Sequence, residues 1–309
     1  MITFYQLMRI VEIRTKLISV SGFTLGAVYS WYRAGSIDIA TLLVMLVGVL
    51  AVDMATTGFN TFFDFQHGVD HRDLNREADK VLVHQGVPPG TALAVSLVLY
   101  ALAMAAGIVL AVLTTFWVIP IGALCMAIGF LYNAGPLPLS RTPLGEFFAG
   151  GFLGWVLVTL TVFVFRQDSL SGPDLLIGIP SMLLVSSILT VNNTCDIDGD
   201  TKAGRKTLSI VLGRRGGELM VYLQGAAAFL LTAVYALADA VPVPQGVLYG
   251  IVPAAVFSIP VYVGMHKQGY SHETKGPSMG AISKVFLLFT LGFVVPLAVL
   301  ALPVTRIVG

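Results

Sequence analysis

Charge is what this sequence has least of. Only 11% of its 309 residues are Asp, Glu, Lys or Arg, against 56% hydrophobic, whereas soluble domains carry about 25% charged residues. That deficit excludes an ordinary water-soluble enzyme, and the apolar excess excludes a disordered chain. Cysteine is almost absent. Two residues, Cys125 and Cys195, exclude a disulfide scaffold and lack any metal-binding spacing, so both read as reduced thiols. A formal net charge of +1 leaves no basic surface, which excludes nucleic acid as a partner. The first apolar stretch is not closed by a small-residue cleavage site, so no cleavable signal peptide is expected.

What the chain has instead is long apolar runs. A membrane-spanning helix needs about 20 mainly apolar residues, and nine stretches qualify: 15–33, 38–62, 90–112, 115–132, 144–165, 174–193, 217–239, 245–264 and 282–303. None alternates in the manner of a membrane barrel. Polar residues gather in loops 63–89, 194–216 and 265–281, and a short Pro- and Gly-rich connection covers 133–143. With a cytoplasmic N-terminus, every Lys and Arg falls on the inner side except Arg33, Arg166 and Arg306. That asymmetry obeys the positive-inside rule and predicts an odd number of crossings, with the C-terminus outside. The sequence therefore reads as an all-α polytopic membrane protein forming a single domain over 1–309. Gly22 with Gly26, and Gly150 with Gly154, read as small-residue pairs for close helix packing.

The chemistry-bearing residues cluster at the cytoplasmic ends of the second and sixth spans. The first cluster runs from Asn60 through Asp64, Gly68 and Asp70 to Asp73, and the second from Asn192 through Asp196 and Asp198 to Asp200. Each places an Asn four residues before an Asp, so the two share a helix face. Asp196 and Asp200 repeat the spacing, and Gly68 is expected to end its helix and let Asp70 fold back toward Asp64. The clusters lie four spans apart, so their helices run in the same direction, suggesting a parallel internal repeat with acidic motifs at 60–73 and 192–200.

Ionised residues near a bilayer are costly, and grouped carboxylates repel unless a cation intervenes. Mg²⁺ takes one or two carboxylates together with substrate phosphates, so two such clusters are suited to grip a diphosphate between them. Reading the acids as caps and solvated loop charges stays open for Asp73, Glu77, Asp79 and Asp198, but leaves the duplicated spacing unexplained. A zinc site from His67, His71 and His84 would require the helix to continue past Gly68. A secondary transporter is the alternative from another class, although its acids would be expected nearer the midplane.

These paired motifs resemble the UbiA superfamily of intramembrane aromatic prenyltransferases. Asn60 to Asp70, Tyr132 to Pro138 with Leu144 to Glu146, Asn192 to Leu208, and Glu12 to Lys16 are most similar to its 1,4-dihydroxy-2-naphthoate branch in menaquinone synthesis. The resemblance implies nine transmembrane helices around a central cavity, with Mg²⁺ and a polyprenyl diphosphate at its cytoplasmic end and a lateral opening to membrane lipid. It implies that Asn60, Asp64 and Asp70 serve one Mg²⁺ and Asn192, Asp196 and Asp200 a second. Position 68 is Gly where the 4-hydroxybenzoate branch has its second Asp, which favours the naphthoate branch and leaves open whether Asp70 ligates directly or through water. Prenylation of another aromatic acceptor, 4-hydroxybenzoate or homogentisate, is the alternative among enzymes. The implied reaction is prenylation with loss of CO₂, in the cell membrane, with the site facing the cytoplasm. Lys80, Arg141, Lys202, Arg205 and Lys206 are candidates to neutralise the diphosphate. Phe63, with Phe59 and Phe62, and Tyr132 are candidates to face the allylic cation. Asp73 and Glu146 are both open as the acid or base for the acceptor.

Overall fold

A computed structural model describes residues 2–70, 80–166, 170–238 and 241–302. Every regular element among them is helical. The chain begins with α1 (Phe4–Ile10), then α2 (Lys16–Ala34), α3 (Ile39–Gln66), the short α4 (Val81–His84), α5 (Pro89–Leu113) and α6 (Val118–Asn133). A composite helix follows, α7 (Gly145–Gly150) passing through a π-helical turn, Gly151–Val156, into α8 (Leu157–Arg166). The remainder is α9 (Ile179–Cys195), α10 (Ile197–Lys202), α11 (Leu208–Ala238), α12 (Leu248–Gln268) and α13 (Lys275–Ala301).

Local chemistry sets the ends. The Asp38 carboxylate caps α3 by accepting from the Thr41 amide at 2.7 Å, Pro89 opens α5 where its missing N–H costs nothing, and Gly35, at φ 81°, ends α2. Each predicted apolar stretch coincides with a helix. By length and composition seven are long and apolar enough to cross a membrane: Ile39–Gln66, Pro89–Leu113, Gly145–Arg166, Gly172–Cys195, Leu208–Ala238, Gln245–Gln268 and Lys275–Ala301. Val118–Asn133 is apolar but shorter, and α2, with its Ser, Tyr, Trp, Lys and Arg residues, is less apolar. The chain is a multi-pass, all-helical membrane protein.

The helices outrun the apolar stretches into the segments expected as loops. Helix α11 starts at Leu208 and is broken by Gly213 (φ 71°), α12 continues to Gln268, and α13 begins at Lys275. Hydropathy marks the bilayer, whereas polar turns prolong a helix beyond it.

Packing gathers the bundle around a cavity. Helix α3 lies against α5 and α6, α9 against α11, α7 and α13, and α2 against α8, α13 and α3. The glycine pairs set two of these contacts. A Cβ on Gly154 would overlap Met182 of α9, and one on Gly26 would fall 2.8 Å from Thr161 Cβ and Val158 O. The π turn brings Phe152, Leu153 and Val156 onto the cavity wall. At the opposite end from the acidic motifs, Asp174 is fully buried between the Tyr29 hydroxyl at 2.5 Å and the Arg166 guanidinium at 2.9 Å. Such a buried charge needs its partners in place.

Candidate active site

The cavity has a volume of about 930 Å³ and is lined from α2, α3, α5 to α10 and α13. Along α3 its wall runs from Asp64 through Asn60 and Asp53 to Met45, a rise of about 28 Å at 1.5 Å per residue. It thus spans most of a hydrocarbon core, polar at one end and apolar toward the other.

The first motif closes on itself. Asn60 Nδ2 donates to Asp64 Oδ2 at 2.8 Å. Beyond α3, Gly68 takes φ 69°, a conformation natural to glycine, and the amides of Val69 and Asp70 both donate to the Asp64 carbonyl at 2.9 and 3.1 Å. That tight turn returns Asp70 to the cavity, where Lys80 Nζ sits 3.3 Å from its carboxylate and 3.6 Å from that of Glu12. Glu12 is the non-glycine residue with positive φ among the described residues (φ 47°), at the kink between α1 and α2.

The second motif straddles a joint. Helix α9 ends at Cys195 and α10 begins at Ile197, so Asp196 is the hinge between them. Its amide still donates to Asn192 O at 3.2 Å, and the Asp200 amide to Asp196 O at 2.9 Å, which keeps the four-residue spacing across the break. Asn193, beside Asn192, donates to buried Glu146 Oε1 at 2.8 Å. Asp200 is bound by Arg205 Nη1 at 3.1 Å, and Arg205 Nη2 donates to Ser140 O at 2.8 Å.

Arg205 lines the same cavity as both motifs. Burial alone would lower its pKa, but Asp200 and then Asp64 raise it, so the guanidinium lies within electrostatic reach of acids from both α3 and α10. Two carboxylates of the second motif are held in opposite directions. Burial pushes Asp200 above the usual carboxylate range with Arg205 opposing. Burial also acts on Asp196, but Lys275 and His272 outweigh it and hold that group below the range.

This site can be set against known proteins. The sequence model of the UbiA prenyltransferase family matches residues 20–279. The chain belongs to the UbiA prenyltransferase family. It is 35% identical over 206 residues to a 1,4-dihydroxy-2-naphthoate octaprenyltransferase of Bacillus subtilis, covering 67% of this chain and 65% of that protein. It is 32% identical over 204 residues to the UbiA prenyltransferase domain-containing protein 1 of Danio rerio, covering 63% and 57%. The chain therefore matches somewhat less than two thirds of these relatives' lengths. Among solved structures, a UbiA homologue from Archaeoglobus fulgidus bound to GPP and Mg²⁺ superposes with a TM-score of 0.63 at 14% identity, covering 94% of this chain and 99% of that one.

Within this UbiA fold, Asn60, Asp64, Asp70, Asn192, Asp196, Asp200, Lys80, Tyr132 and Arg205 all line the one cavity. Other expected residues do not. Phe63 packs behind α3, stacked on His67 and edge-on to Phe62 and Phe130, with Phe59 against Tyr100 and Phe130. Lys202 and Lys206 are exposed, and Arg141 donates to Ala203 O at 2.8 Å while its own carbonyl accepts from the Lys206 amide. Arg141 thus ties the Pro- and Gly-rich connection to the second motif. Asp73, with Glu77 and Asp79, lies outside the described residues. Asp198 is exposed and paired with Arg214 at 3.0 Å.

Some cavity residues carried no signal in the sequence pattern. Phe148 and Phe152, stacked at 6.3 Å, line the wall with Tyr132; their four-residue spacing is that of any packed helix. Asp53, buried in mid-span, pairs with Lys16 at 2.8 Å and accepts from Ser19 at 2.6 Å. His272, between α12 and α13, and Lys275, the first residue of α13, reach Asp196 at 3.0 and 2.6 Å from a segment without a motif.

Proposed function

We propose that this chain transfers a polyprenyl group from an allylic diphosphate to 1,4-dihydroxy-2-naphthoate, with loss of CO₂ and release of diphosphate. The observation that carries this reading is that both acidic motifs line the polar end of one long, largely apolar cavity, beside Arg205, which is bonded to Asp200. The names of the relatives from Bacillus subtilis and Danio rerio and the GPP and Mg²⁺ bound by the Archaeoglobus homologue support it.

The residues fit Mg²⁺ by their chemistry. The set is carboxylate and amide oxygen, which suits a hard cation, and Asp200 Oδ2 is buried without a hydrogen-bond partner among the described residues. Mg²⁺ takes one or two carboxylates together with substrate phosphates, so each ion would share its coordination with the diphosphate. Asn60, Asp64 and Asp70 would serve one ion and Asn192, Asp196 and Asp200 another, and bound Mg²⁺ would offset the charge gained by the leaving diphosphate.

The chain's own groups do the rest. Asn60 orients the Asp64 carboxylate, and Arg205 and Lys80 supply charge-assisted donors to phosphate. The apolar wall excludes water from the allylic fragment, while Tyr132, Phe148 and Phe152 offer ring faces to its positive charge. We further propose that the chain is one domain in which the two motif-bearing helices are parallel repeats. We propose too that its acidic end faces the cytoplasm, which the distribution of basic residues supports, and that the protein resides in the cell membrane.

The test is turnover. Purified protein with Mg²⁺, a polyprenyl diphosphate and the naphthoate should yield equal amounts of diphosphate and a prenylated, decarboxylated product. Chelator should abolish this, and Asp64→Asn or Asp196→Asn should lower it at least a hundredfold while the protein still folds. Substrate flux into proteoliposomes without product would refute it.

A further inference from the structure

Asp196 is engaged through both of its carboxylate oxygens. His272 Nδ1 lies 3.0 Å from Oδ1 and Lys275 Nζ 2.6 Å from Oδ2, so both oxygens face cations or donors supplied by the connection between α12 and α13. That connection is firmly built. Gly269 (φ 73°) ends α12, Ser271 N donates to Thr274 Oγ1 at 2.8 Å, and Thr274 Oγ1 donates to Gly269 O at 3.0 Å. Gln268 Nε2 reaches Thr274 O at 3.2 Å and Ser278 Oγ at 3.0 Å, while Arg214 of α11 holds the Tyr270 carbonyl.

The placement of Lys275 is unfavourable for its helix. A cation at a helix N-terminus opposes the dipole, and Lys275 is the first residue of the 27-residue α13. Lys275, Gly276 and His272 nevertheless line the cavity beside Asp196 and Asp200. A lysine, an imidazole and a helix N-terminus converging on one spot make an anion site, and at present its anion is a protein carboxylate.

We propose that His272 and Lys275 are diphosphate-binding residues held in waiting on Asp196, released to phosphate oxygens when a divalent cation takes that carboxylate. The proposal rests on the functional reading above. It adds the α12–α13 connection as a third element of the diphosphate site, and it makes Lys275 and the metal competitors for Asp196 but Lys275 and the metal-bound diphosphate partners.

Competition and partnership have opposite signs, which the test reads. Lys275→Gln should bind Mg²⁺ alone severalfold more tightly than the unmodified protein in calorimetry, because its rival is gone. The same variant should bind inorganic pyrophosphate at saturating Mg²⁺ at least tenfold more weakly. Lys275→Arg should keep both affinities near the original, and His272→Asn, which leaves no buried charge behind, should weaken pyrophosphate alone. If Lys275→Gln and His272→Asn bind pyrophosphate normally, or if Mg²⁺ and pyrophosphate weaken together with thermal stability, these residues are structural and the inference fails. If the unmodified protein binds no pyrophosphate at saturating Mg²⁺, the functional reading itself fails, and the inference with it.

Discussion

The Lys16–Asp53 pair tests how the wall of the cavity is held. Lys16 is 4% and Asp53 8% exposed, and the three ammonium protons are spent on Asp53 Oδ1 at 2.8 Å, Asp53 O at 3.3 Å and Thr57 Oγ1 at 3.1 Å. Deleting one partner leaves a buried charge. Asp53→Leu or Lys16→Met alone should therefore lower stability by about 3–5 kcal/mol. An unpaired charge at a helix centre costs a similar amount, about 2.5–3.5 kcal/mol on insertion scales. Removing both charges together, with apolar groups of like volume, should return stability to within about 1 kcal/mol of the original or above it. Reversible unfolding of all four proteins in mixed micelles, analysed as a double-mutant cycle, reads the coupling. Single variants that lose less than about 1 kcal/mol, or a double variant as unstable as the sum of the singles, would refute the claim that α2 and α3 are locked by this pair.

Other expectations follow from the same geometry. Gly154→Val should abolish folding, or greatly lower thermal stability, because Met182 of α9 occupies the space; the same change at Gly107, where a Cβ meets nothing, should leave the melting temperature nearly unchanged. Arg205→Ala should weaken pyrophosphate binding about 10- to 150-fold, as expected for a charge-assisted hydrogen bond of about 1.5–3 kcal/mol, read by calorimetry at fixed Mg²⁺. The depressed Asp196 pKa gives metal-free protein a stability contribution that is complete above the unfolded value. It is lost as pH falls through the window below about pH 4, and Asp196→Asn should flatten that part of an acid-unfolding curve. Asp200, raised by burial, works oppositely: its contribution declines as pH rises from the ordinary carboxylate value to its own.

The helical architecture was legible because bilayer spans are long and apolar. The motifs were legible because four-residue spacing survives folding: even across the joint at Asp196, the amides of Asp196 and Asp200 still reach back four positions. The Gly68 turn was legible too, since positive φ is glycine's own territory. What escaped depends on tertiary contact. Asp53 sits in a span where one acid among apolar residues marks no pattern, and its meaning comes from Lys16 on another helix. Phe63 adjoins the motif in sequence, yet the helix turns it toward Phe130 and His67 while Phe148 and Phe152, far along the chain, take the wall. Lys275 and His272 come from a segment with no repeated spacing at all.

The central claim is that acids from α3 and from the α9–α10 joint act on one shared diphosphate. Calorimetric titration of inorganic pyrophosphate at saturating Mg²⁺ into the unmodified protein, Asp64→Asn, Asp196→Asn and the double variant tests it most directly. A shared site predicts one pyrophosphate per chain, a large loss from either single change, and little further loss from both. Two independent sites, each variant keeping half the stoichiometry, or a single variant binding as tightly as the original, would contradict it.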